Sequence, residues 1–259
     1  MTVSDTMPRI AYSWGYLRRV RAKYAILGMV SDTVIVVALL ASAAEASGRA
    51  VTFPSLDGTS LAGEFYEASE RPAPAVVLVH MLSRTKADWN SVADRLQDAG
   101  ITALTLDLRG HGGSSGSPQA LAEMVQDVRA AVQWLAARQG IRPGSIALVG
   151  ASLGASLSLL AAVDLPAVRA IGLLSPSLDY RGLRTDVNLV KRVGGRSMWL
   201  AASAEDPLAL RTLRDFAAEN SGPREQLISS TVAHGTALLE RDPEVGRALV
   251  DWLRRSLLS

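Results

Sequence analysis

The chain has 259 residues, enough for one substantial domain, and 48% of them are hydrophobic, enough to fill its core. Of its 27 basic and 25 acidic residues, five and three lie in residues 1–46, so the remainder carries 22 of each. That balance and the 5% aromatic content argue against nucleic acid as a partner, and the lack of cysteine excludes disulfides, thiolate metal sites and cysteine-linked lipid anchors.

Residues 1–46 read as an export segment. The basic cluster Arg18-Arg-Val-Arg-Ala-Lys23 precedes an apolar stretch at 24–44, and Ala44-Glu45-Ala46 offers the small residues a signal peptidase needs. The segment is a cleaved signal peptide or an anchor attaching the protein to a membrane through residues 24–44; a buried helix of the domain is the third reading. Asp32 inside the stretch weighs against a bilayer span. Either export reading places the domain at 47–259 outside the cytoplasm, periplasmic or secreted, or held at the membrane.

In the body, residues 50–53 and 61–66 flank Asp57-Gly58 and predict an antiparallel hairpin. The continuous apolar run at 74–80 predicts a strand buried on both faces. Trp89, Val92, Ala93 and Leu96 recur at helical spacing until Gly100, and 101–108 is a second buried strand. A long amphipathic helix carries Leu121, Met124, Val125, Val128, Val132 and Leu135. A strand at 145–150, a helix from Leu153, and strands at 168–174 and 197–201 follow. Then come a helix at about 208–218, a short strand at 226–229 and a last helix with Val245, Leu249, Trp252, Leu253 and Leu257. This alternation predicts an α/β fold: a mostly parallel central sheet of about eight strands, helices on both faces, and the hairpin at its N-terminal edge.

Gly150-Ala-Ser152-Leu-Gly154 sits where a strand turns directly into a helix. Such a turn, closed by glycines, presents one strained, exposed serine, so Ser152 is the candidate nucleophile. A serine hydroxyl needs a base, and the base needs an acid that orients its ring. Those partners collect at the carboxyl ends of the strands of an open α/β sheet. His234, after the last short strand, is the candidate base. His111, in a Gly-rich turn, is read as a loop residue bonding to backbone, and His80 as a structural group. Asp206, after the strand at 197–201, is the first choice of acid, and Asp179, after the preceding strand, is the fallback.

Val79-His80-Met-Leu82, Asp107-Leu-Arg-Gly-His-Gly112, the Ser152 motif, Glu205-Asp206-Pro and Ala233-His234-Gly occur in an order and spacing that resemble the α/β-hydrolase superfamily. Over residues 50–258 the chain is similar to its small dienelactone-hydrolase-like and serine-aminopeptidase-like members. The resemblance implies an oxyanion hole made of the Leu153 amide and an amide just past the third strand, Leu82 or, as the neighbouring option, Met81. The family's His-Gly is His80-Met81 here. Dienelactone hydrolases use a cysteine nucleophile, which this chain lacks, so that activity is not implied. The expectation is a serine hydrolase cleaving small-molecule esters, thioesters or amides through an acyl-enzyme, with no metal and no organic cofactor. An acyltransferase with the same triad and a non-catalytic binding protein of the same fold are the alternatives. Only about 22 residues separate the strand ending near Ser175 from the one starting at Ser197, which leaves little room for a lid. Leu178, Tyr180, Leu183 and Trp89 are candidate pocket walls.

Overall fold

In the computed structural model, which describes residues 48–219 and 221–258, the apolar runs of the sequence become the middle of one sheet. Its strands in chain order are β1 (Arg49–Pro54), β2 (Ser60–Tyr66), β3 (Ala73–Val79), β4 (Thr102–Leu106), β5 (Ile141–Ala151) and β6 (Val168–Leu174). β7 (Asp179–Tyr180) and β8 (Leu183–Arg184) pair with each other in a separate small sheet, and β9 (Ser197–Ser203) and β10 (Arg224–Ser229) rejoin the main sheet. The spatial order is β1-β2-β4-β3-β5-β6-β9-β10. β1 with β2 and β2 with β4 are antiparallel, and the remaining pairings are parallel. The expected sheet, with its hairpin at the N-terminal edge, is therefore present.

The helices are α1 (Asn90–Asp98), entered through a 3₁₀ turn at Lys86–Trp89, α2 (Met124–Ala136), α3 (Leu153–Ala162), α4 (Val187–Val193), α5 (Pro207–Ala218), α6 (Ala237–Arg241) and α7 (Pro243–Leu258). The strand pleat explains why the central runs are apolar at every position. Ala75, Val77 and Val79 of β3 and Ile146 and Leu148 of β5 point to one face, against Val128 and Leu135 of α2 and Leu157 and Leu159 of α3. Val76, Leu78, Ala147 and Val149 point to the other, against Val92 and Leu96 of α1 and Leu249, Trp252 and Leu253 of α7. α3 buries every residue but Leu160, so it shows no amphipathic stripe in the sequence.

Some elements depart from expectation. β5 begins at Ile141 rather than 145, and Leu121 lies ahead of α2. The β7–β8 hairpin, α4 and α6 are too short to carry a periodic signal. The export segment expected at 1–46 lies outside the described residues, among which no helix is long and apolar enough to cross a membrane. The chain leaves β3 to one side for β4 and crosses back to β5 on the other side. The crevice beyond the carboxyl ends of β3 and β5 is thus the switch point where open α/β sheets bind ligands.

Candidate active site

Ser152 stands between the last residue of β5 and the first of α3, with φ +51° and ψ −113°. A non-glycine residue in that region costs about 1–3 kcal/mol, and the surroundings enforce it. The Ser152 amide donates to the Leu174 carbonyl at 2.9 Å, anchoring the turn to the end of β6. A Cβ on Gly150 would lie 2.1 Å from the Gly154 carbonyl oxygen, and one on Gly154 would lie 2.4 Å from that of Val79. Both glycines are thus required because helix, turn and β3 meet backbone to backbone. Ser152 is strained as expected but not exposed: it keeps 7% of its surface, because the His234 ring stands over its hydroxyl.

His234 Nε2 lies 2.8 Å from Ser152 Oγ, and its Nδ1 lies 2.5 Å from Asp206 Oδ2. The other Asp206 oxygen, Oδ1, accepts from the Ala209 amide at 3.2 Å and caps α5, so the helix start fixes the carboxylate. The loop carrying His234 is tied down on several sides. Ser203 Oγ donates to the Thr231 carbonyl at 2.7 Å. The Gly235 amide donates to Ser175 Oγ at 2.9 Å. Thr236 Oγ1 donates to Asp88 Oδ2 at 2.5 Å, and Arg84 reaches both Asp88 and Glu240. Asp179 does not join this group: it accepts from the Gly182 amide at 2.7 Å and faces Arg184, closing the β7–β8 hairpin.

The other two histidines are structural, as read from the sequence. His80 is completely buried; the Leu108 amide donates to its Nε2 at 3.0 Å, so its Nδ1 carries the proton toward the Met81 carbonyl at 2.7 Å. Burial pushes this imidazole down to about 4, against the opposing pull of the Met81 carbonyl. His111 Nδ1 lies 2.9 Å from the Arg109 carbonyl. Asp107 is buried, which raises a carboxyl, but bonds from the Lys86 ammonium, the Lys86 amide and the Gly113 amide outweigh that and hold it below the usual range.

Leu153 is the first residue of α3, so its amide is one of the donors that a helix leaves without an intrahelical partner. The Met81–Arg84 turn, with Ser83 at φ +59°, leaves the Leu82 amide bonded to no other described group. The two segments adjoin, since Gly154 packs on the carbonyls of Val79 and His80. The Met81 sulfur lies beside Gly235, where a Cβ on that glycine would come within 2.5 Å of it.

A cleft of about 360 Å³ opens beside this turn, lined by Leu82, Ser83, His111, Pro118, Gln119, Leu121 and Arg181. Of the expected walls, Trp89 is fully buried beneath the sheet, packed in the layer of α1 and α7. Leu178, Tyr180 and Leu183 are half-buried against the core cluster that includes α3. Arg181 joins the cleft without a signal in the sequence, because Arg-Gly is not among the usual two-residue hairpin turns. A larger concavity, about 780 Å³, lies at the amino ends of β6, β9 and β10, the opposite end of the sheet from Ser152. Among the described residues no group of three or more His, Asp or Glu side chains is arranged to hold a metal ion.

A hydroxyl, an imidazole and a carboxylate in a hydrogen-bonded line can move the hydroxyl proton onto the ring while the carboxylate fixes the ring's orientation. Known proteins agree with this architecture. The chain is 27% identical over 236 residues to an uncharacterized protein of Mycobacterium tuberculosis, covering 84% of this chain and 82% of that one. It is 34% identical over 137 residues to a polyketide transferase of Stachybotrys chlorohalonatus, covering 50% of this chain and 45% of that one. The solved Pyrococcus furiosus esterase Pf2001 shares its fold at a TM-score of 0.69 and 15% identity, covering 90% of this chain and 98% of that one. The model of the serine aminopeptidase S33 family matches residues 70–249, so the chain belongs to that family, within the α/β-hydrolases.

Proposed function

We propose that the protein is a serine hydrolase of small-molecule carboxylic esters and related thioesters and amides, with residues 47–259 as its catalytic domain. The observation that carries this reading is the unbroken line from Ser152 Oγ through His234 to Asp206, at 2.8 and 2.5 Å. In it Ser152 attacks the carbonyl, His234 takes the hydroxyl proton and returns it to the leaving alcohol, and Asp206 holds the imidazole. The Leu153 and Leu82 amides receive the oxyanion, each such donor being worth about 3–4 kcal/mol of transition-state stabilisation in comparable sites. Water then opens the acyl-enzyme by the same relay in reverse.

The likeness to a polyketide transferase supports a second reading, in which an alcohol or amine rather than water resolves the acyl-enzyme. Residues 1–46 are proposed to carry the domain out of the cytoplasm or to the membrane. A fluorophosphonate probe should label the wild-type protein and leave Ser152→Ala unlabelled. That variant should also lose at least four orders of magnitude in hydrolysis of short p-nitrophenyl esters. Labelling of Ser152→Ala, or retention of a tenth of the activity, would remove Ser152 as nucleophile. Product analysis with added alcohols distinguishes transfer from hydrolysis.

A further inference from the structure

The cleft beside Leu82 holds a charge that the reaction does not use. Its walls combine apolar Leu82, Pro118 and Leu121 with polar Ser83, Gln119 and His111, and with the Arg181 guanidinium. No lining residue is acidic, and among the described residues Arg181 has no carboxylate partner. Its guanidinium carbon lies 5.9 Å from the centre of the Tyr180 ring. The neighbouring acids are engaged elsewhere, Asp179 by the Gly182 amide and by Arg184. Arg181 is also held in an unusual conformation. It has φ +50° and Gly182 has φ +92°, so the two form a tight turn of the kind that favours Asn, Asp or Gly at the arginine's position. The hairpin that presents it leans on α3, the helix that begins beside Ser152.

We propose that Arg181 reads an anionic group on the substrate, so that the preferred esters carry a carboxylate at the far end of a short acyl chain. The inference rests on the proposed hydrolase activity for the reacting end, and on the cleft alone for the charged end. Its volume is near the lower limit for small-ligand pockets, about 300–1,000 Å³, which fits a short chain rather than a long lipid. A guanidinium lacking a protein partner gains a charge-assisted, two-pronged bond from a carboxylate, whereas a neutral chain end leaves it to water. The acid takes no part in bond-making: the Ser152 oxygen–carbon bond forms as the ester carbon–oxygen bond breaks, and the proton leaves with the alcohol through His234.

The test compares p-nitrophenyl monoesters of succinate, glutarate and adipate with the matching terminal methyl esters. Wild type should prefer the acids, and Arg181→Gln should lower the acid-to-neutral ratio of kcat/KM about five- to tenfold, chiefly through KM. Arg181→Glu should lower it further, and Arg181→Lys should restore part of it. In parallel, monomethyl adipate binding to Ser152→Ala is measured by calorimetry with and without Arg181→Gln. Arg181-dependent binding without turnover of either ester class would sink the hydrolase reading and keep the cleft assignment. Turnover with a ratio indifferent to Arg181 would overturn the assignment and keep the hydrolase.

Discussion

Asp206 does two jobs with two oxygens, and they can be separated. Asn keeps a capping oxygen for the Ala209 amide but offers His234 Nδ1 an amide in place of a carboxylate. Asp206→Asn should therefore lower kcat by up to about 10⁴ with little change in melting temperature. Asp206→Ala should add about 1 kcal/mol of instability from the lost cap. Asp179→Asn, which touches only the hairpin turn, should be mild in turnover. A steady-state series on one ester with parallel melts checks all three, and a severe loss in Asp179→Asn alone would transfer the acid role to that residue. The choice between the two acids was open in the sequence because both follow strand ends. Only the packing of the His234 loop against Ser175 and Ser203 separates them.

At the scale of elements, the site depends on α3 meeting the end of β3 without side chains between them. Gly154→Ala places a methyl 2.4 Å from the Val79 carbonyl oxygen and 2.6 Å from that of His80, which only a shift of helix or strand relieves. We expect about 1–3 kcal/mol of lost stability from overpacking, together with a fall in kcat as the Leu82 turn is displaced. Melting and turnover of the purified variant measure both; an unchanged kcat would show that the junction does not hold the amides in place.

His80 makes the same junction sensitive to pH. Its pKa drops from 6.5 to about 4 on folding, so below pH 6.5 the unfolded chain takes up a proton that the folded chain refuses. The group's neutral form is accommodated in full above pH 6.5, and stability falls as pH descends toward 4, by about 3 kcal/mol in all. Denaturant titrations at pH 7, 5.5 and 4 should show this slope in wild type and its loss in His80→Gln, whatever the variant's baseline. Equal slopes in the two proteins would reject the assignment.

For the whole molecule, among the described residues the sheet begins with β1 at Arg49, and the eight strands described there all follow the apolar stretch in the chain. Deleting residues 1–46 should leave a soluble protein that still reacts with a fluorophosphonate, while the full chain should fractionate outside the cytoplasm. Were the stretch a core helix, its removal would bare apolar surface and the shortened chain would aggregate. Soluble, reactive truncated protein together with purely cytoplasmic full chain would mean a dispensable tail and end the export proposal.

The amino-acid sequence alone determined the layered α/β architecture. Burial on both faces demands continuous apolar runs at β3, β4 and β5, and amphipathic helices must repeat at 3.6 residues, patterns that local reading detects. It also marked Ser152, since strand, glycine-lined turn and helix are contiguous in the chain. Tertiary structure alone decided which acid faces His234, that Ser152 lies covered rather than exposed, and that Trp89 packs in the core while Arg181 lines the cleft. Those outcomes depend on loops separated by 28 to 82 positions being brought to one end of the sheet. No periodicity encodes such meetings, because loops have none; they follow from where the crossovers of a parallel sheet deliver its strand ends.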